Sequence, residues 1–175
     1  NPTPYRQIGG GGYHDFYVGY DPATRQDKFY GAGLGGYSVW DVTHPATPKQ
    51  LFTITSLGMD IAHTFTPTPD GHYAVTETEY QYTPLRIWDL SAGQEGKTQN
   101  IDLPISAWTA DWRDLSHNHE VRWPYVFVSA YEDGLQVFNL KDPKNPKTEG
   151  YWYTCECEHG HGFGGTPDNG WQSTT

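Results

Sequence analysis

Four histidines recur at intervals close to 50 residues along this 175-residue chain, each followed two positions later by Phe or Val. They are His14, His63, His119 and His161, and the intervals between them are 49, 56 and 42 residues. Neutral imidazole is the commonest protein ligand for copper and zinc. The recurrence predicts that these four side chains converge and could share a metal ion. The alternative is that each is a repeat residue whose ring hydrogen-bonds the backbone of the neighbouring repeat.

A second group of metal-ligand types stands near the end of the sequence. Cys155, Cys157 and His159 lead up to His161 at every second position. In an extended strand, residues two apart lie about 6.6–7 Å from each other, which is too far for all of them to bind one ion. A turn at a nearby glycine would bring them together as a zinc or copper site. An accidental cluster, or a cysteine that pairs elsewhere, explains the same letters.

Glu77 and Glu79 alternate in the same way and could bind a cation, although we expect them to form a solvated face. The sequence contains no Gly-x-Ser-x-Gly motif and no glycine-rich phosphate loop, so no nucleophile or nucleotide site is indicated.

Composition predicts an all-β protein. Twenty glycines and 13 prolines supply turns, while 13 tyrosines and 7 tryptophans favour strands. The net charge of −10 argues against a nucleic-acid partner, and no apolar run approaches the ~18 residues of a membrane span.

Three segments repeat an apolar pattern that would position the histidines. They are residues 36–42, 84–90 and 134–140, with Trp40, Trp88 and Phe138 at equivalent places. Each repeat has room for four strands in ~49 residues, which is typical of a β-propeller blade. We expect residues 39–42, 87–90 and 137–140 to be third strands, and Trp40 and Trp88 to pack between blades.

The repeats predict a single propeller domain, present as three four-stranded antiparallel blades with partial blades at both ends. The predicted units are residues 1–12, the last strand of a preceding blade; 13–56, 61–105 and 117–154, the three blades; and 159–175, the start of another. The rest of the propeller, or a partner chain that closes it, would complete the ring.

The motif Gly-Leu-x-Val-x-Asp followed by Asp-Pro-x-x-Pro resembles the LVIVD-repeat β-propellers of exported proteins. Residues 134–146 match it best, residues 36–48 match well, and residues 84–93 lack the Asp-Pro turn. The resemblance implies a secreted, periplasmic or cell-surface scaffold that binds an extracellular protein or glycan. Exposed Tyr80, Tyr82 and Trp108 would supply contact area. A purely structural module is a further possibility.

The stretch His119-Glu-Val-Arg122 is similar to one in the selenium-binding protein/methanethiol oxidase propellers, although the Cys-Ser-Ser-Asp-Ile-Trp type of signature is absent. This second resemblance implies the alternative function, a copper-dependent oxidoreductase.

Overall fold

The fold was determined as a computed structural model that describes residue 8 and residues 12–57, 61–80, 82–111 and 115–154, apart from the side chain of Glu132. In these residues the chain is all-β, as the composition predicts. Twelve strands form three separate four-stranded antiparallel sheets, each built from strands consecutive in sequence. None of the three sheets closes on itself.

Sheet 1 contains β1 (Tyr13–Asp21), β2 (Gln26–Gly33), β3 (Gly36–Asp41) and β4 (Lys49–Ile54). Sheet 2 contains β5 (Thr64–Pro67), β6 (Tyr73–Glu77), β7 (Leu85–Asp89) and β8 (Ser106–Trp108). Sheet 3 contains β9 (Asn118–Arg122), β10 (Tyr125–Ala130), β11 (Gly134–Asn139) and β12 (Lys147–Trp152). The described helices are short: α1 (Ser91–Gln94) follows β7, and the 3₁₀ turn η1 (Tyr131–Asp133) precedes β11. No helix among the described residues has the length and hydropathy to cross a membrane.

The three predicted third strands are confirmed as β3, β7 and β11, the third strand of each sheet. Between β7 and β8, which begins at Ser106, the chain first turns through α1 and then runs beside sheet 1. There Thr53 of β4 forms an isolated parallel bridge with Asn100.

Glycine at the start of two third strands has a steric cause. Gly36 and Gly134 have φ of +113° and +66°, a backbone region that L side chains rarely adopt. A Cβ at either residue would lie 2.4 Å from a carbonyl oxygen of the following strand, that of Ile54 or that of Trp152. The repeated glycine therefore allows the third and fourth strands to pair closely.

Two apolar clusters join the sheets. The first contains buried side chains from sheets 1 and 2, including Val39, Phe52 and Trp88. The second contains side chains from sheets 2 and 3, including Ile87 and Phe138. Sheet 2 is therefore covered on both faces, as expected for strands whose apolar residues point both ways.

A buried polar contact also links sheets 1 and 2. The ammonium group of Lys28, which has no exposed surface, lies 2.5 Å from Asp21 Oδ2 and donates a second hydrogen bond to Gln94 of α1. Burial alone would raise the pKa of Asp21, but hydrogen bonds from Lys28, Thr24 and the Ala23 backbone outweigh it and lower the pKa. This ion pair is thus fully partnered.

The two repeat tryptophans differ in burial, which corrects the expectation that both pack between sheets. Trp88 is fully buried in the first cluster, and its indole nitrogen donates to Thr76 Oγ1 at 2.7 Å. Trp40 is only half-buried, because it lies on the face of sheet 1 that points away from sheet 2.

Trp88→Ala should reduce the free energy of unfolding by about 3–5 kcal/mol, because it removes a large side chain from a closed core and leaves Thr76 without its donor. Trp40→Ala should cost less than half as much. Urea denaturation followed by circular dichroism measures both variants. Equal losses would contradict the difference in packing described above.

Candidate functional site

The first strands of the three sheets lie next to one another, since β5 contacts both β1 and β9. These strands carry the three predicted histidines that fall in the described residues. His14 is in β1, His119 is in β9, and His63 immediately precedes β5. The packing of the sheets therefore places all three histidines along one edge.

His14, His63 and Glu79 form a group that could hold a metal ion. One ligand atom from each lies within 4.8 Å of the others. The two imidazole rings have centroids 4.1 Å apart, and His63 Nε2 is 3.1 Å from Glu79 Oε2. His14 is exposed and His63 is buried, so the group opens to solvent on one side.

Among the described residues, one further predicted ligand, His119, is not part of this group. His119 is fully buried on β9, and its Nδ1 lies 3.7 Å from Oε2 of Glu77. The predicted ligand His161 and the predicted group of Cys155, Cys157 and His159 lie outside the described residues.

The expectation that the two glutamates form a solvated face is wrong. The Glu77 side chain is 3% exposed and the Glu79 side chain 26% exposed. Glu77 ends β6, and its carboxylate lies between two buried histidines, 3.6 Å from Nδ1 of His63 and 3.7 Å from Nδ1 of His119. Glu77 belongs to a sheet that is covered on both faces, so alternation along the strand does not direct it to water.

Glu79 reaches the group because of its backbone. It lies in the connection between β6 and β7, and its φ is +52°. Such a conformation costs a residue with a side chain about 1–3 kcal/mol and is often found at functional sites. The carboxylate is also held from sheet 3, where the Tyr131 hydroxyl donates a hydrogen bond to Oε1. Tyr131 itself has φ of +30°.

Two nearby side chains were not identified from the sequence. His117 places Nε2 3.7 Å from Glu79 Oε1, with its ring centroid 5.1 Å from that of His63. The Tyr131 ring lies 5.4 Å from that of His117. His117 could have been found from the His-Asn-His triplet at residues 117–119, whereas no sequence signal indicates Tyr131.

Hydrogen bonding indicates which ring nitrogen of His63 carries the proton and which has the free lone pair. The Thr64 hydroxyl donates to Asn118 Oδ1 at 2.8 Å, so its oxygen is left to accept a proton from His63 Nδ1 at 3.1 Å. In neutral imidazole one nitrogen is a donor and the other has a free lone pair. The lone pair of His63 is therefore on Nε2, a buried atom without a hydrogen bond that faces Glu79.

Burial keeps His63 and His119 neutral. It lowers the pKa of His63, an effect opposed by Glu79 and reinforced by His14 and His117. Burial also lowers the pKa of His119 to about 3, with the Val75 backbone acting in the opposite direction. Neutral rings are the form that binds metals.

The chain matches no family model, and it matches none of the curated proteins.

The buried His119 should make the metal-free protein less stable in acid. Its pKa is about 3 in the folded chain against 6.5 in a model peptide, so between these values the unfolded chain binds a proton that the folded chain does not. The contribution of His119 to the free energy of unfolding should be fully present above pH 6.5. It should fall with decreasing pH, by at most about 1.4 kcal/mol per pH unit. His119→Gln should flatten the pH dependence of the urea midpoint between pH 6.5 and 4, measured with a chelator present. The exposed control His72→Gln should leave the slope unchanged, and an equal slope in both variants would contradict the burial of His119.

Proposed function

We propose that this chain is part of a β-propeller that binds a divalent transition-metal ion through His14, His63 and Glu79. The observation that carries the proposal is the approach of one ligand atom from each residue to within 4.8 Å of the others. Two imidazole nitrogens and a carboxylate oxygen are a ligand set that suits zinc or copper.

The arrangement of the sheets supports the propeller. Three sheets of four antiparallel strands follow one another in sequence, pack face to face, and keep their first strands together at one edge. Propeller blades have this strand order, with the first strand nearest the central channel. The remaining blades would come from the rest of the ring or from a partner chain.

The state of His63 supports the metal. The ring is neutral, and its buried Nε2 lone pair faces the carboxylate of Glu79. A metal ion would bind both Nε2 of His63 and Oε2 of Glu79. Ligand atoms on one tetrahedral ion lie about 3.4 Å apart at bond lengths of 2.0–2.1 Å. The exposed His14 side chain has the freedom to close the remaining distance.

Three protein ligands leave a fourth coordination position free, which is the arrangement of a catalytic site rather than a structural one. This feature favours the second candidate function, a copper-dependent oxidoreductase, which the His-Glu-Val-Arg resemblance also implies. An oxygen electrode would test it with the copper-loaded protein and a small thiol as probe. Oxygen uptake no faster than with His63→Ala would remove the enzyme and leave the binding module.

The wider setting rests on the LVIVD resemblance, which supports a binding or structural scaffold outside the cytoplasm. Tyr80 and Tyr82 are exposed and available to an extracellular protein or glycan, with 43% and 61% of their surface accessible. Trp108 is not available, because it is 6% exposed and stacks on Phe138 at 4.5 Å.

The metal site predicts stoichiometric binding of Zn²⁺ or Cu²⁺ by isothermal titration calorimetry. His63→Ala and Glu79→Gln should each weaken metal binding by at least 10-fold. The first removes the imidazole ligand, and the second removes the negative charge of the carboxylate ligand. His72→Ala is the matched control, since His72 is an exposed histidine in the turn that precedes β6. Binding that survives both site variants would place the ion elsewhere and contradict the proposal.

The hydrogen-bond chain from His63 through Thr64 to Asn118 predicts a positioning effect. Thr64→Val keeps the shape of the side chain but removes the acceptor for Nδ1–H, so the metal affinity should fall by about 10- to 100-fold. Thr64→Ser should restore most of the affinity, because it restores the hydroxyl. Equal affinities for Thr64→Val and the parent protein would show that the tautomer of His63 is set by another group.

A further inference from the structure

Two glutamate–histidine pairs lie in the contact between sheets 2 and 3. Glu77 Oε2 is 3.7 Å from Nδ1 of His119, and Glu79 Oε1 is 3.7 Å from Nε2 of His117. His117 directly precedes β9, and its backbone N–H donates to the Ser129 carbonyl at 2.8 Å, so the strand pairing extends to it. The two pairs differ in access to solvent, because the His119 side chain is fully buried and the His117 side chain is 26% exposed.

The more accessible pair adjoins the candidate metal group. The ring of His63 has two imidazole neighbours, that of His14 with its centroid 4.1 Å away and that of His117 with its centroid 5.1 Å away. The two come from different sheets, since His14 lies in β1 of sheet 1 and His117 lies at the start of β9 in sheet 3. Glu79 is near both His63 and His117. Each of the three sheets therefore brings one imidazole to the same place.

The separation of His117 from Glu79 suits two ligands of one ion better than a hydrogen-bonded pair. At 3.7 Å, Nε2 and Oε1 are too far apart for a hydrogen bond, whereas ligand atoms on one tetrahedral ion lie about 3.4 Å apart. Oε1 accepts a hydrogen bond from Tyr131, which leaves Oε2, the oxygen that faces His63, as the ligand atom. His117 is not in the group whose ligand atoms all lie within 4.8 Å, so its ring has to turn to reach an ion there. Its partial exposure gives it the room to do so.

We propose that His117 is the fourth ligand of the ion and the one that an external ligand displaces. The inference rests on the proposed metal site and assigns the position that His14, His63 and Glu79 leave open. His63 is held in place by its hydrogen bond to Thr64, whereas His117 must move in order to bind, so His117 is the ligand that exchanges more readily. A small anionic donor, such as azide or a thiolate, is the kind of external ligand that competes for this position.

Copper is the probe for the test, because the nitrogens bound to Cu²⁺ split the lines of its electron paramagnetic resonance spectrum. The Cu²⁺-loaded parent chain should show three imidazole nitrogens, and His117→Gln should show two. Azide should bind the Cu²⁺-loaded variant more tightly than the parent chain. If His117 occupies its position about 90% of the time, its removal raises the apparent azide affinity about 10-fold. His72→Gln, at an exposed histidine in the turn that precedes β6, is the matched control and should behave as the parent chain does.

A second variant separates ligation from a structural role of His117, whose ring packs against that of Tyr131. Free imidazole should restore the three-nitrogen spectrum in His117→Gly and leave that of the parent chain unchanged, because the position is already filled there. A parent spectrum with only two nitrogens would overturn the proposal without any variant. Equal azide affinities for the parent chain and His117→Gln would overturn it as well. A parent chain that binds Cu²⁺ and gives either result leaves the proposed metal site intact, whereas one that binds no Cu²⁺ by calorimetry removes both.

Discussion

Ile87 and Trp88 are neighbours in β7, and their side chains leave opposite faces of sheet 2, yet both are fully buried. A strand of this kind is stable only between two other layers, because each buried large side chain is worth about 1.5–3 kcal/mol relative to exposure. The stacking of sheets 1, 2 and 3 follows from this requirement. The stacking in turn sets β5 between β1 and β9, and so brings His14 of one sheet beside His63 at the edge of the next.

Two groups of buried polar side chains lie between the sheets, and they differ in how fully their polar atoms are hydrogen-bonded. Lys28 and Asp21 satisfy each other and are joined by Gln94, so their burial is compensated within the fold. Near Glu77, by contrast, His63 and His119 are kept neutral by burial, and Nε2 of His63 has no hydrogen bond. A buried polar atom without a partner costs about 1–3 kcal/mol. A metal ion at that nitrogen would remove the cost. The Lys28–Asp21 pair has no such cost to remove, because its polar atoms are already hydrogen-bonded.

Much of the fold could be predicted from the sequence because its signals are local. Alternating apolar residues and a recurring glycine define the third strands, and the glycine has a steric role that does not depend on distant residues. The convergence of His14 and His63 followed from their equal place in the repeat. Glu79, His117 and Tyr131 depend on more distant features: a left-handed backbone residue, a contact between sheets, and a hydrogen bond that spans 52 residues. The burial of Trp40 was overestimated for a related reason, since its pattern matches that of Trp88 but the described chain supplies no sheet to cover it.

The candidate site is shared among the sheets, and this couples metal binding to their packing. His14 belongs to sheet 1, and His63 and Glu79 adjoin the strands of sheet 2. From the sheet 3 repeat, Tyr131 hydrogen-bonds the Glu79 carboxylate, and Asn118 accepts a hydrogen bond from Thr64, the residue that holds His63. The ligand set is therefore complete only when sheets 1 and 2 are stacked, and the hydrogen bonds that support it also require sheet 3. An ion that binds the stacked state alone stabilises it by RT ln(1 + [M]/Kd), or about 2.7 kcal/mol at 100 times the dissociation constant. This gain is comparable to the burial of one large apolar side chain. The ion would thus stabilise the same contacts between sheets that the apolar clusters stabilise. It would bind at the edge where the first strands meet.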